Sequence, residues 1–139
     1  MIVYLVRHAR AGKRGEWEGD DRLRPLDERG VRQAQGLVEQ LSGRELRRIL
    51  SSPYVRCVQS VEPLAEARGL PLKREEALAE GAGSQAALDL LRGAGDAVAA
   101  CVHGDLAEDL LGRKLKKGAT AVLELHGGVD VLEELPPPA

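Results

Sequence analysis

Apolar residues along this chain fall into two kinds of run. Ile2-Val3-Tyr4-Leu5-Val6 and Ala97-Val98-Ala99-Ala100-Cys101-Val102 are apolar at consecutive positions, the pattern of strands covered on both faces. Each run stops abruptly at a histidine, the first in Arg7-His8-Ala9 and the second in His103-Gly104-Asp105. Elsewhere the spacing is helical. Val31, Ala34, Leu37, Val38 and Leu41 share one face of a predicted helix. Asp27 stands before it as a capping carboxylate, and Gly43 is a candidate stop. Residues 46–50 read as a short strand broken by Ser51-Ser52-Pro53. Val55, Val58, Val61, Leu64 and Ala65 then give an apolar face to a helix over 54–68. Pro63 predicts a kink or interruption in that helix, and Gly69 predicts its end. A strand over 70–75, a helix over 84–92 on Ala87, Leu88 and Leu91, and a short helix on Leu106, Leu110 and Leu111 follow. Residues 119–125 and 129–134 read as a hairpin around Gly127-Gly128.

Strands that alternate with helices predict an α/β fold: a three-layer α/β/α sandwich with a mostly parallel central sheet, to which the final hairpin adds an antiparallel edge. One domain over residues 1–135 accounts for these elements, and residues 136–139, with Pro136-Pro137-Pro138, read as a loose tail. Residues 7–27 have no period and are rich in Gly, Arg and Asp. Connections of that length in a small domain are usually functional or mobile. Trp17 within the 10–24 loop is open to three readings: a lid, a recognition residue or an anchor for the loop itself.

Composition narrows the class. The 139 residues include no Phe, and aromatic residues make up 2%, so the core has to be built from Leu, Val and Ala. A net charge of −2 gives no overall attraction to nucleic acid or to an anionic membrane. No apolar stretch approaches the roughly 20 residues that cross a bilayer, and the first residues lack the basic region of a signal peptide; a cytoplasmic location is expected. Two cysteines, Cys57 and Cys101, suggest no disulfide framework. Cys101 and His103 lie two apart, but no third and fourth ligand stands at metal spacing, so neither a metal nor a cofactor is expected.

The candidate chemistry lies at the strand ends. In an open α/β sheet, ligands bind in the crevice beyond the carboxyl ends of the strands, which is where His8 and His103 fall. Arg56, just after Ser51-Ser52-Pro53, reaches the same rim if the 46–50 strand is parallel. Two guanidiniums, Arg7 and Arg56, with two imidazoles and a helix N-terminus would form an anion site, because the arginine fork donates paired hydrogen bonds to phosphate. The surrounding positive charge would also lower the pKa of His8. A neutral imidazole can attack phosphorus as a nucleophile.

These segments resemble the signatures of the histidine phosphatase superfamily, the phosphoglycerate-mutase-like proteins, and within it the SixA-like phosphohistidine phosphatase branch. Arg7-His8-Ala9-Arg10-Ala11-Gly12 resembles the Arg-His-Gly signature. Asp21-Arg22-Leu23-Arg24-Pro25-Leu26-Asp27-Glu28-Arg29-Gly30 resembles Arg-Pro-Leu-Thr-x-x-Gly, and Ser51-Ser52-Pro53-Tyr54-Val55-Arg56-Cys57-Val58-Gln59-Ser60 resembles Ser-Pro-x-x-Arg-x-x-Gln-Thr. Val102-His103-Gly104 resembles the segment with the second histidine. The resemblance implies that His8 is the residue phosphorylated and that Arg7, Arg56 and His103 bind the phosphoryl group. Glu80 in Leu78-Ala79-Glu80-Gly81 is the candidate acid for the leaving group. Ala9 replaces a glycine of the pattern, Asp27 a threonine, and Gly104 an asparagine common among relatives. The 70–96 segment is too short for the large cap of the superfamily's sugar-phosphate mutases, so the site is expected to be open.

The implied activity is a phosphatase acting on a phosphohistidine protein or a small phosphate ester through phospho-His8. The alternatives are a non-catalytic phosphate-recognition module and a phosphomutase, the latter disfavoured by the missing cap. Arg113, Lys114, Lys116 and Lys117 read as a solvated basic face, or as a rim that attracts acidic partners. His126 beside the Gly-Gly turn is expected to face solvent. The oligomeric state is not legible.

Overall fold

The two consecutive apolar runs form the centre of a single six-stranded sheet. A computed structural model describes all of residues 1–139. In chain order the elements are β1 (Ile2–Arg7), α1 (Glu28–Gln40), β2 (Arg48–Ser51), α2 (Val55–Arg68), β3 (Leu72–Arg74), α3 (Ser84–Ala94), β4 (Val98–Val102), α4 (Gly104–Leu111), β5 (Thr120–Leu125) and β6 (Val129–Leu135). The strand order is β3-β2-β4-β1-β5-β6. β1, β2, β3 and β4 run parallel; β5 pairs antiparallel with β1 and β6 antiparallel with β5. The sheet is therefore parallel for four strands and closes in the expected antiparallel hairpin. No helix is long and apolar enough to cross a membrane.

Strand alternation divides the core in two. Val3, Leu5, Val98, Ala100 and Val102 point to the face covered by Ala87 and Leu91 of α3 and by Leu106 and Ala107 of α4. Tyr4, Val6, Ala99 and Cys101 point to the opposite face, against Leu37 of α1 and Cys57, Val61, Leu64 and Ala65 of α2. This is the α/β/α sandwich that consecutive apolar strand residues require. With no phenylalanine, β4 fits the narrow gap between layers using alanine and cysteine.

Local chemistry sets the helix ends. The Asp27 carboxylate accepts a 2.8 Å hydrogen bond from the Gly30 amide and caps α1. α1 then ends at Gln40, short of Gly43, with Leu41 rather than a glycine as its C-terminal cap. Its buried face differs from the predicted one. Val31 is exposed, and Gln33 is buried in its stead. The first turn of α1 stands over the polar chain leaving β1, and the Gln33 side-chain oxygen accepts from the Arg10 amide at 3.0 Å. α2 runs unbroken through Pro63 and ends at Gly69, which adopts φ 64°.

The 7–27 segment folds back on its own start. Ala11 bridges Leu26 in antiparallel fashion, and the Asp27 amide donates to the Arg10 carbonyl at 3.1 Å. Two single 3₁₀ turns, Arg14–Glu16 and Asp21–Leu23, lie between. The Trp17 indole donates to the Asp20 carbonyl at 2.9 Å, tying the loop to itself. Residues 136–139, expected to be loose, lie along α1. The Pro136 carbonyl accepts from Gln40 Nε2 at 2.8 Å, and Pro138 rests on Gly36. His126 lies in the solvent-facing turn, with Nε2 2.6 Å from an Asp130 carboxylate oxygen.

Gly30 marks the tightest junction in this arrangement, because a β-carbon there would overlap the Arg10 carbonyl oxygen. Gly30→Ala therefore forces α1 away from the chain that leaves β1. The expected loss is about 1–3 kcal/mol of stability, typical of overpacking against atoms that cannot yield. Gly43→Ala meets nothing within 4 Å and should change stability by less than about 0.5 kcal/mol. Urea midpoints of the two variants provide the comparison; equal midpoints would refute the tight junction.

Candidate active site

The parallel register brings three strand ends level. The His8 amide donates to the Val102 carbonyl at 3.1 Å, and the Ser52 amide to the Cys101 carbonyl at 3.0 Å. The His8 carbonyl in turn accepts from the Gly118 amide at 3.0 Å. The backbone is thus fixed on both sides where β1, β2 and β4 open onto one cleft of about 1340 Å³. Arg7, His8, Arg56, Glu80 and His103 all line it, so the five residues singled out from sequence converge.

His8 is 7% exposed. Its Nδ1 lies 2.8 Å from the Ala9 carbonyl oxygen. That oxygen can only accept, so Nδ1 carries the proton and Nε2 of the neutral ring keeps its lone pair. Burial lowers the pKa of His8 from 6.5 to about 3; the Ala9 carbonyl opposes this, while His103, Arg56 and Arg7 add to it. The electrostatic effect of the arginines expected from sequence is present, but loss of water outweighs it.

The two guanidiniums are held differently. Arg7 Nη1 donates to the Leu115 carbonyl at 2.6 Å, and its plane lies against Gly104, where a β-carbon would come within 2.8 Å. Arg56 is 1% exposed. It donates through Nη1 to the Asp21 carbonyl at 2.8 Å, and through Nη2 to the Asp21 carboxylate at 3.0 Å and to Glu80 at 3.1 Å. In both residues the buried Nε has no partner. Unsatisfied buried donors are costly, and both of these belong to guanidiniums that line the cleft.

His103 is the N-terminal cap residue of α4, and no side chain caps that helix start. Its Nε2 lies 2.8 Å from Ser52 Oγ and 3.5 Å from Cys57 Sγ. The Tyr54 ring meets it edge-on at 4.5 Å, and its own ring lies 5.5 Å from that of His8. Ser60 ties the parts together: its hydroxyl accepts from the Ala9 amide at 2.8 Å and donates to the Arg56 carbonyl at 2.6 Å.

Several contributors were not legible from the sequence. Asp21 receives Arg24 at 2.9 Å, Arg56 at 3.0 Å and Arg14 at 3.5 Å. Partial burial raises its pKa, but the hydrogen bond from Arg24 and the charges of Arg56 and Arg14 outweigh this and hold it low. Nothing in the local spacing links Asp21 to Arg56, which is 35 residues away. Tyr54 belongs to the Ser51–Ser60 segment, but its stacking under Arg56 at 4.8 Å and Arg22 at 4.9 Å depends on tertiary placement. Glu80 bridges Arg14 at 3.0 Å and Arg56 at 3.1 Å, so each of its oxygens accepts from a guanidinium. Of the basic run, Lys114, Lys116 and Lys117 line the cleft, whereas Arg113 turns away to pair with Glu134. Trp17 is not among the lining residues.

Known proteins resemble this chain in sequence and in fold. The chain is similar over 82 residues, at 45% identity, to an 8-oxo-(d)GTP phosphatase of Mycolicibacterium smegmatis; the match covers 55% of this chain and 26% of that protein. The chain thus spans about a quarter of that relative's length. Its fold is similar to the protein histidine phosphatase SixA complexed with tungstate, with TM-score 0.80 at 23% identity over 99% of this chain and 97% of the other. It is similar also to the putative phosphohistidine phosphatase SixA from Agrobacterium tumefaciens, with TM-score 0.81 at 23% identity over 98% and 97%. The sequence pattern of the histidine phosphatase superfamily (branch 1) matches residues 3–87. With that match over more than half its length, the chain belongs to the histidine phosphatase superfamily.

Proposed function

We propose that this protein is a phosphatase that works through a phospho-His8 intermediate, on a phosphohistidine protein or a small phosphate ester. One observation carries the reading: a neutral His8 with Nε2 bare, in a cleft where Arg7 and Arg56 keep buried Nε donors without partners. The phosphoryl oxygens would accept from the guanidiniums of Arg7 and Arg56 that line the cleft and from the second histidine, His103. Nε2 attacks phosphorus, the new N–P bond forms as the bond to the leaving group breaks (P–O in an ester, P–N in a phosphohistidine), and the electron pair departs on that oxygen or nitrogen. The phosphorylated ring becomes cationic and remains hydrogen-bonded through Nδ1 to the Ala9 carbonyl. Water then attacks the same phosphorus, the P–N electron pair returns to Nε2, and inorganic phosphate leaves. Charge on the equatorial oxygens is balanced by fixed cations, the main requirement of phosphoryl transfer.

Glu80 is the candidate proton donor to the leaving group. A phosphoryl group that engages Arg56 competes with Glu80 for that guanidinium and leaves the carboxylate paired with Arg14 alone. The open cleft suits a phosphate displayed on a protein, and a neighbour of similar fold is described as the protein histidine phosphatase SixA. The 8-oxo-(d)GTP phosphatase relative favours a small phosphorylated substrate instead. A purely recognising module would have no use for a nucleophile with its lone pair exposed.

Rapid quenching with labelled p-nitrophenyl phosphate should trap an acid-labile phosphoryl group on His8, and His8→Ala should abolish both adduct and turnover. Arg7→Ala, Arg56→Ala and His103→Ala should each lower kcat/KM by about 10²–10³. Equal residual rates in wild type and His8→Ala would overturn the reading.

The buried neutral His8 also leaves a signature in stability. The folded protein holds this ring unprotonated until the pH falls to about 3, while the unfolded chain takes up the proton near 6.5. The unfolded state binds more protons between these values, so stability is complete above pH 6.5 and declines as pH falls toward 3. Urea midpoints measured across that window should fall less steeply for His8→Asn than for wild type. Parallel curves would show that the ring is not held neutral.

A further inference from the structure

The cleft holds far more positive charge than one phosphoryl group needs. Ten of its lining residues are arginine or lysine and five are aspartate or glutamate. Arg7, Arg56, Arg14, Arg24 and Arg10 are tied to carboxylates or carbonyls of the protein. The other five, Lys13, Arg29, Lys114, Lys116 and Lys117, have no carboxylate within 4.0 Å. All five are exposed at the mouth of the cleft. Like charge is crowded there: loss of water lowers the pKa of Lys117, and Arg7, Arg24, Arg10 and Arg14 lower it further. Free cations gathered at the entrance of a site already rich in arginine attract a second anionic group.

The protonation arrangement points the same way. Glu80 is the carboxylate placed to protonate a leaving group, and both its oxygens accept from guanidiniums, Arg14 and Arg56. A leaving alkoxide is strongly basic and needs a proton donor. A leaving phosphate is weakly basic and can depart as an anion.

We infer that the mouth of this cleft, formed by Lys13, Arg29, Lys114, Lys116 and Lys117, is a second anion subsite that selects substrates whose leaving group is itself a phosphate: phosphoanhydrides such as nucleoside diphosphates. The inference rests on the phosphatase reading and specifies its substrate class. His8 Nε2 takes the terminal phosphorus, and the N–P bond forms as the bridging P–O bond breaks. The electron pair stays on the bridging oxygen, and the nucleoside monophosphate leaves with its charge held by the mouth lysines. Water then releases inorganic phosphate from His8. Alkyl monoesters lack both the second charge and the stable leaving group.

The experiment compares kcat/KM for GDP, GMP and p-nitrophenyl phosphate in wild type and in a Lys114→Ala/Lys116→Ala/Lys117→Ala variant. The lysines are exposed, so the variant should fold, as circular dichroism will verify. Wild type is expected to prefer GDP over GMP by about tenfold or more, and the variant to lose about tenfold in the ratio of GDP to p-nitrophenyl phosphate, as removal of several solvent-facing cations implies. Raised salt should lower the same ratio in wild type. Equal use of GDP and GMP, or an unchanged ratio in the variant, would overturn the subsite while leaving phosphatase action intact. So would faster turnover of a phosphohistidine protein whose rate, unlike that of GDP, falls in the variant; the basic mouth would then serve a protein partner. Failure of wild type to hydrolyse all three compounds would overturn the phosphatase reading itself, and the subsite with it.

Discussion

A guanidinium withdrawn almost wholly from water has to be neutralised from within the protein, and the fold is organised around that need at Arg56. Its side chain is 1% exposed, and the carboxylates of Asp21 and Glu80 reach it from two separate segments. The two carboxylates are themselves about one-third exposed, so water screens each pair in part. The same requirement explains the long segment after β1. Its turn at Asp21–Leu23 carries Asp21 to Arg56, Arg24 and Arg14 together, so a stretch without hydrophobic period is ordered by charge instead of by packing.

The opposite rule governs His8. There the protein withholds a counter-charge and supplies one carbonyl, which fixes the proton on Nδ1. Burial of the ring, reinforced by the charges of His103, Arg56 and Arg7, keeps a cation from forming there. The two devices are complementary. Fixed positive charge that has internal partners coexists with an imidazole that stays neutral, and Ser60, bonded to both Ala9 and Arg56, holds them in one frame.

The fold was legible in the sequence because its strands are buried on both faces, so runs such as Val98–Val102 announce themselves without ambiguity. The convergence of His8, His103 and Arg56 followed from strand ends alone. Less legible was whatever depended on side chains meeting across the cleft. Gln33 looked like a surface residue on a helix whose apolar face included Val31; its burial follows from the polar chain it supports, which spacing cannot reveal. Gly43 looked like a helix stop, yet the helix had already ended at Gln40, since a cap with ordinary dihedral angles sufficed. Asp21 stands in the segment that resembles the Arg-Pro-Leu signature, but its pairing with Arg56 depends on a partner from a distant segment. The basic run at 113–117 was ambiguous for the same reason. Only its placement shows that three members face the cleft and one pairs with β6.

Gly104 ties two positions of the site to one another. The Arg7 guanidinium lies against the glycine, where a β-carbon would come within 2.8 Å of it. A side chain at 104 would therefore push the guanidinium from its seat beside the Leu115 carbonyl. Position 104 can grow only if Arg7 takes up another rotamer, so a glycine sets the aim of one of the cleft's cations.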